Sequence, residues 1–155
     1  VAAWIHRPTT GELLTAERGS GAYVDGTRIQ CVDDHRRADE LCGRVETRDL
    51  DDTCRPLIER GLDRVGPLAP GLGSAALEYP RIIGGTLPFV FSWQTNSWDP
   101  APGTLIVEEA GGRARRLDGS PYRVASATNP GLLVTPGPAS WATVHAALLG
   151  DFGLF

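Results

Sequence analysis

WDPAPGTLIVEEAGG, residues 98–112, is the stretch that says most about the fold of this chain. Asp99 and Pro100 predict that a helix begins here, because aspartate is a preferred N-cap residue and proline is tolerated in the first helical turn. Gly111 and Gly112 predict its end. A carboxylate at this cap lies beside unpaired N–H groups and partial positive charge, and it could also meet a divalent cation. Since aspartate is common at helix caps, the spacing alone favours a cap over a metal ligand.

Regular elements are predicted on both sides of this helix. The sequence opens with two hairpins, and Asp25-Gly26 predicts the tight turn of the second one. Strands and helices then alternate, which predicts a layered α/β protein. The predicted hairpins cover residues 1–17 and 22–29, the predicted strands cover 41–47, 87–93, 113–117 and 132–135, and the other predicted helices begin near Asp51, Ser74 and Ala139.

Composition and charge exclude several classes of protein. The 15 basic and 19 acidic residues give a net charge of -4, which provides no general attraction to nucleic acid or anionic lipid. No apolar run approaches the roughly 20 residues that a membrane span needs. Cys31, Cys42 and Cys54 lack C-x-x-C spacing and predict reduced thiols in a cytoplasmic protein. We therefore expect no nucleic-acid partner and no membrane partner.

Common catalytic signatures do not occur in the sequence. His6, His35 and His145 are far apart and lack the H-x-x-x-H spacing of a zinc protease. Neither a G-x-S-x-G nucleophile elbow nor a Walker A phosphate loop is found. The remaining candidate for a functional site is therefore the predicted helix start at Asp99.

Residues 98–112 resemble the C-terminal signature of the inositol monophosphatase family, W-D-x-A-x-G-x-L-I-x-x-E-A-G-G. Pro102 stands where the family usually has alanine or serine, a change that a first helical turn tolerates. Residues 11–27 resemble the family segment G-E-x-x-x-A-x-x-G-x-G-A-x-x-x-G, and residues 73–76 resemble G-S/T-A-A. Residues 117–122 resemble the strand and turn that follow the signature helix. The resemblance thus spans almost the whole chain.

The resemblance implies a layered α-β-α-β-α sandwich and a Mg²⁺-dependent phosphomonoester hydrolase. It implies that Asp99 is a ligand of a catalytic Mg²⁺ and that Gly73, Ser74 and Ala75 contact the substrate. Ser92 stands where inositol-specific members carry a glutamate that binds ring hydroxyls. A serine cannot make the same charge-assisted bonds, so inositol phosphate is not expected to be the main substrate. No residue of the chain is assigned as catalytic with certainty.

The family's other metal ligands do not occur in this sequence. The family takes them from a glutamate and from D-P-x-D-G-T, both upstream of the hairpins with which this chain opens. Asp25-Gly26-Thr27 contains D-G-T but lacks the preceding Asp-Pro, so we interpret it as a turn. The chain also contains no methionine. We therefore expect a C-terminal half, in which residues 1–30 are the remnant of an N-terminal antiparallel sheet and residues 31–155 form the C-terminal α/β part.

Several functions remain open on the sequence. The first expectation is hydrolysis of a small phosphorylated substrate, with a homodimer as one expected assembly and with no activity in the fragment alone. Related phosphatases acting on histidinol phosphate, a sugar bisphosphate or a phosphoadenosine nucleotide are alternatives. A non-catalytic binding module of the same fold is another. In the last alternative, the chain is an unrelated α/β domain and Asp99 is only a helix cap.

Overall fold

The computed structural model describes residues 1–33, 36–47, 50–94, 96, 98–124 and 131–152. Within these ranges the chain forms two four-stranded β-sheets and four α-helices. The α/β class predicted from the sequence is therefore confirmed. His35 lies outside the described residues. No helix in these ranges is long and apolar enough to cross a bilayer.

The first sheet is built from the two predicted hairpins. Its strands are β1 (Ala2–Arg7), β2 (Glu12–Glu17), β3 (Gly21–Val24) and β4 (Thr27–Ile29), paired antiparallel in that order. Asp25 and Gly26 form the β3–β4 turn, with φ of 49° and 78°, as a tight hairpin turn requires. The Asp25 carboxylate accepts a hydrogen bond of 3.0 Å from the Leu13 N–H. The interpretation of Asp25 as a turn residue agrees with this geometry.

The second sheet mixes parallel and antiparallel pairing. Its strands are β5 (Arg44–Glu46), β6 (Val90–Ser92), β7 (Arg113–Arg116) and β8 (Leu132–Thr135). They lie in the order β5-β6-β8-β7. The β5–β6 pair is parallel, and the other two pairs are antiparallel. The parallel pair brings the two ends of a long crossover connection together, and the residues at this edge form part of the site.

The helices begin close to the predicted positions. They are α1 (Arg55–Leu62), α2 (Ala75–Ile83), α3 (Ala101–Glu109) and α4 (Pro138–Leu149). Short 3₁₀ turns cover Ala38–Glu40 and Gly150–Phe152. Helix α2 starts directly after Ser74, as the sequence predicts, and ends at Gly84.

The elements of the described residues stack in four layers. Helices α2 and α3 lie between the two sheets, in an apolar core that includes Ile5, Ile82 and Val134. Helices α1 and α4 cover the other face of the second sheet, in a core that includes Ile58 and Leu133. Because the neighbours Leu133 and Val134 point to opposite faces of β8, the second sheet is buried on both sides. The outer helical layer of the predicted α-β-α-β-α sandwich stays a prediction.

Helix α3 is fixed between the sheets by close contacts. A methyl group at Gly103 would overlap the ring of Tyr79, so the glycine lets α2 and α3 approach closely. At the far end of α3, the Glu109 carboxylate accepts hydrogen bonds of 2.9 Å from the N–H groups of Gly19 and Gly21 in the β2–β3 turn. The start of α3, and with it Asp99, therefore has a defined place relative to both sheets.

Candidate functional site

All the site residues that the sequence predicts line one open cleft. Its volume is about 530 Å³, and Ser92 and Asp99 line it together with residues 73–75. Ser92 is the last residue of β6, Asp99 precedes α3, and residues 73–75 lead into α2. The cleft thus lies where a strand ends and two helices begin. Helix amino ends present unpaired N–H groups and suit a bound anion.

The entry into α2 follows from its local sequence. Gly73 has φ of 72°, a backbone conformation that favours glycine. Ser74 is the extended N-cap residue, and its carbonyl accepts hydrogen bonds from the N–H groups of Leu77 and Glu78 at 3.0 and 3.2 Å. The Ser74 side chain makes no capping hydrogen bond. Residues 74–76 line the cleft at this helix end.

Asp99 is not the N-cap of α3, so the predicted helix start was wrong by one residue. The N-cap is Pro100, whose carbonyl accepts the first helical hydrogen bond from the Thr104 N–H at 2.8 Å. Pro100 has no polar side chain and makes no capping hydrogen bond at this helix end. The exposed Asp99 carboxylate instead accepts a hydrogen bond of 3.0 Å from the Asn96 side-chain amide. A role for Asp99 as a helix cap alone is therefore not supported.

A charged network on the same cleft was missed by the sequence reasoning. The Arg44 guanidinium donates to Glu46 at 2.7 Å and to the Val45 carbonyl at 2.6 Å. Its Nε also lies 3.8 Å from the carboxylate of Glu78. All three charged side chains line the cleft. The alternation charged–buried–charged in residues 44–46 was the available signal, because it places Arg44 and Glu46 on one face of a strand.

The described residues fit one part of a metal site. Among them, no group of three histidine, cysteine or acidic side chains is close enough to hold a metal ion. Asp99 offers an exposed carboxylate beside the Asn96 amide, and both face the cleft. Mg²⁺ prefers near-octahedral oxygen coordination and keeps waters where carboxylates are few. Asp99 therefore fits as one Mg²⁺ ligand of a shared site.

Tyr79 is a buried titratable group in the lining of the cleft, and it does not suit proton transfer. Burial, followed by the charge of Glu78, raises the pKa of the Tyr79 phenol well above its ordinary value of 10.0. The phenol therefore keeps its proton at neutral pH. Its ring instead packs against Gly103 at the α2–α3 contact.

Comparisons with known proteins agree on one family. A family model described as the inositol monophosphatase family matches residues 1–150. The fructose-1,6-bisphosphatase/inositol-1-monophosphatase of Thermotoga maritima is 37% identical over 115 residues, which cover 74% of this chain and 43% of that protein. The Nus factor SuhB of Pasteurella multocida is 32% identical over 114 residues, covering 70% of this chain and 41% of that protein.

A solved structure shares the fold. The extragenic suppressor protein suhB of Bartonella henselae superposes with a TM-score of 0.79 at 25% identity. The match covers 96% of this chain and 57% of that one. The chain thus spans less than half the length of the two curated relatives above and just over half of this structure.

Proposed function

The chain belongs to the inositol monophosphatase family, and we propose that it forms the substrate-binding part of a Mg²⁺-dependent phosphomonoesterase. The observation that carries this proposal is the cleft itself. Asp99 and Ser92 line the same cleft as residues 73–75, although they are far from the G-S-A-A segment in sequence. The complete protein would supply the remaining metal ligands. A cytoplasmic location and a homodimer remain part of the same proposal.

Different residues of the cleft would bind the phosphate and the metal ion. The amino end of α2, from Ser74 onward, would accept the phosphate, because its first N–H groups are unpaired and carry partial positive charge. Asp99 would hold Mg²⁺ through its exposed carboxylate, with the Asn96 amide fixing the carboxylate's orientation. Bound Mg²⁺ supplies Lewis acidity and lowers the pKa of coordinated water. The chain's own contribution is therefore to position the phosphate beside the metal ligand.

The alcohol part of the substrate is proposed to be a sugar or polyol other than inositol. Ser92 offers a neutral hydroxyl where inositol-specific relatives carry a carboxylate, so inositol 1-phosphate is not proposed as the preferred substrate. The Thermotoga maritima relative carries both fructose 1,6-bisphosphate and inositol 1-phosphate in its name. Sugar bisphosphates, histidinol phosphate and phosphoadenosine nucleotides remain the alternatives to test in a substrate panel.

The decisive variant is Asp99→Asn in the full-length protein, which keeps the side chain's shape and removes its charge. We expect Mg²⁺-dependent phosphate release to fall at least about 100-fold, since loss of partners outside the ligand shell alone costs about 10–100-fold. The measurement is kcat/KM on a phosphomonoester panel, with circular dichroism to check the fold.

Asp52→Asn is the matched control, because Asp52 is exposed ahead of α1 and away from the cleft. We expect it to leave kcat/KM unchanged. If Asp99→Asn retains activity within about twofold of the unchanged protein, the metal-ligand assignment fails.

A second candidate function is non-catalytic binding. The observation that favours it is the similarity to a relative named as a Nus factor. The full-length protein distinguishes the two functions, because a binding module needs no D-P-x-D-G-T segment upstream. A full-length protein that contains the segment and releases phosphate with Mg²⁺ rules the binding-only function out.

A further inference from the structure

Strands β5 and β6 place two polar side chains opposite each other at the cleft. In their parallel register Glu46 pairs with Ser92, and Val45 pairs with Phe91. Val45 and Phe91 are buried in the core against α1 and α4. Because side chains alternate along a strand, Glu46 and Ser92 share the other face of the sheet. Both line the cleft with Asp99.

The Glu46 carboxylate is held by Arg44, and Arg44 is itself held from several sides. The 2.7 Å bond from Arg44 fixes one of its oxygens. Arg44 is itself held by the Val45 carbonyl and by Gly71, where an added Cβ would lie 2.5 Å from the Arg44 Nε. The Glu78 carboxylate lies on the other side of Arg44 and accepts a hydrogen bond of 3.1 Å from the Leu72 N–H. The segment that leads into α2 is thereby joined to Glu46.

Glu46 remains accessible although it is ordered. Its side chain is 31% exposed, compared with 12% for Glu78. An ionised carboxylate has about four acceptor positions and can bind more than one donor at a time. A carboxylate repels phosphate and accepts hydrogen bonds from hydroxyls, so Glu46 suits the neutral part of a ligand whose phosphate lies at the α2 end.

We infer that Glu46 is a specificity-determining residue, which accepts hydrogen bonds from hydroxyl groups on the alcohol part of the substrate. This inference rests on the proposed function, because it takes the cleft as the substrate site. Inositol-specific relatives carry their carboxylate at the position of Ser92 on β6. In this chain the carboxylate would instead be Glu46 on β5. Ligands with several hydroxyls should then bind better than ligands with an apolar alcohol part.

The test compares the binding of two phosphate monoesters to the full-length protein without Mg²⁺, so that neither ligand is hydrolysed during the titration. Glucitol 6-phosphate carries several hydroxyls, and phenyl phosphate carries none. Isothermal titration calorimetry gives Kd for each ligand, and the ratio of the two Kd values is the selectivity. Glu46→Gln keeps one acceptor and loses the charge, so we expect the selectivity for glucitol 6-phosphate to fall about tenfold. Glu59→Gln, on the exposed surface of α1, is the control and should leave the selectivity unchanged.

Glu46→Asp is a second variant that keeps the charge pair with Arg44 but withdraws the carboxylate by one methylene. It should lower the selectivity in the same direction. An equal change for both ligands, an unchanged selectivity in Glu46→Gln, or no preference for glucitol 6-phosphate in the unchanged protein overturns the inference. Phosphate release is assayed separately. Selective binding without turnover sinks the proposed function alone, and turnover without selective binding sinks this inference alone.

Discussion

Glu109 is the residue that connects the first sheet to the helix behind the site. Its two carboxylate oxygens accept separate hydrogen bonds from Gly19 and Gly21. The bond from Gly19, with those from Gly21 and Ser20, holds the pKa of the Glu109 carboxyl below its ordinary value of 4.5. The Glu109 side chain, near the end of α3, therefore fixes the β2–β3 connection of the first sheet.

The contribution of Glu109 to stability should depend on pH. Because its pKa is lower in the folded state than in the unfolded state, the stabilisation is present above about pH 4.5 and is lost as the pH falls through the folded-state pKa. We expect Glu109→Gln to lower the free energy of unfolding by about 1 kcal/mol at pH 7. The difference between variant and unchanged protein should shrink below pH 4.5. Urea unfolding of the full-length protein across this pH range measures it.

Glu17→Gln is a matched control for this experiment, because Glu17 is exposed at the end of β2 beside the same turn. It should change the free energy of unfolding by less than about 0.5 kcal/mol. A Glu109→Gln effect that stays constant from pH 7 to pH 3 would contradict the assignment of the effect to the ionised carboxylate.

Helix α4 receives its cap from a distant part of the chain. Its N-cap residue is Gly137, which has no side chain to offer. The Asp33 carboxylate accepts hydrogen bonds from the N–H groups of Ala139 and Ser140 at 2.8 and 3.0 Å, and from the Ser140 hydroxyl at 2.6 Å. Asp33 therefore does for α4 what an N-cap side chain does for most helices.

Removing this distant cap should destabilise the protein. Asp33→Ala leaves two helix N–H groups and the Ser140 hydroxyl without their acceptor. We expect the free energy of unfolding to fall by about 2 kcal/mol, within the range for lost caps and for hydrogen bonds to charged groups. Thermal and urea unfolding of the full-length protein measure it. Asp63→Ala, at the exposed C-terminal end of α1, is the control and should stay within about 0.5 kcal/mol. Equal losses in the two variants would refute the cap.

The sequence predicts the elements better than their ends or their pairing. The sequence correctly predicts strands at 41–47 and at the apolar run 87–93, but the paired segments are only Arg44–Glu46 and Val90–Ser92. Apolar composition reports burial, whereas strand ends depend on which partner lies alongside. The parallel pairing of β5 with β6 joins Glu46 to Ser92 across two helices. Local patterns carry no information on such a pairing, so the position of Glu46 opposite Ser92 at the cleft could not be predicted.

At the scale of the whole molecule, the family resemblance is confirmed over residues 1–150. The division at residue 30, and the Mg²⁺ ligand and substrate residues of the site, stay predictions. Residues 98–112 allowed the family to be identified, because they match the family signature nearly without gaps. Helix packing then explains the cleft, because the close α2–α3 contact at Gly103 sets the two helix starts side by side.

The chain produced alone should associate and should be inactive. Among the described strands, β1 pairs only with β2, and Trp4 on this strand is 64% exposed. Unpaired edges and exposed apolar side chains favour association. With one predicted metal ligand, Asp99, the chain should release no phosphate above buffer with Mg²⁺. Light scattering of residues 1–155 should show oligomers, and Trp4→Lys should reduce them. A monomer with metal-dependent turnover would contradict both expectations.

The bonds of Glu109 also bear on how the protein folds over time. They join residues that are 88 and 90 positions apart. Closing so long a loop is entropically unfavourable until the intervening helices and strands have packed, so these bonds should form late on the folding pathway. An interaction that forms after the transition state slows unfolding and leaves the folding rate nearly unchanged. The Glu109 hydrogen bonds between the first sheet and α3 would therefore lengthen the lifetime of the folded state and leave the folding rate nearly unchanged.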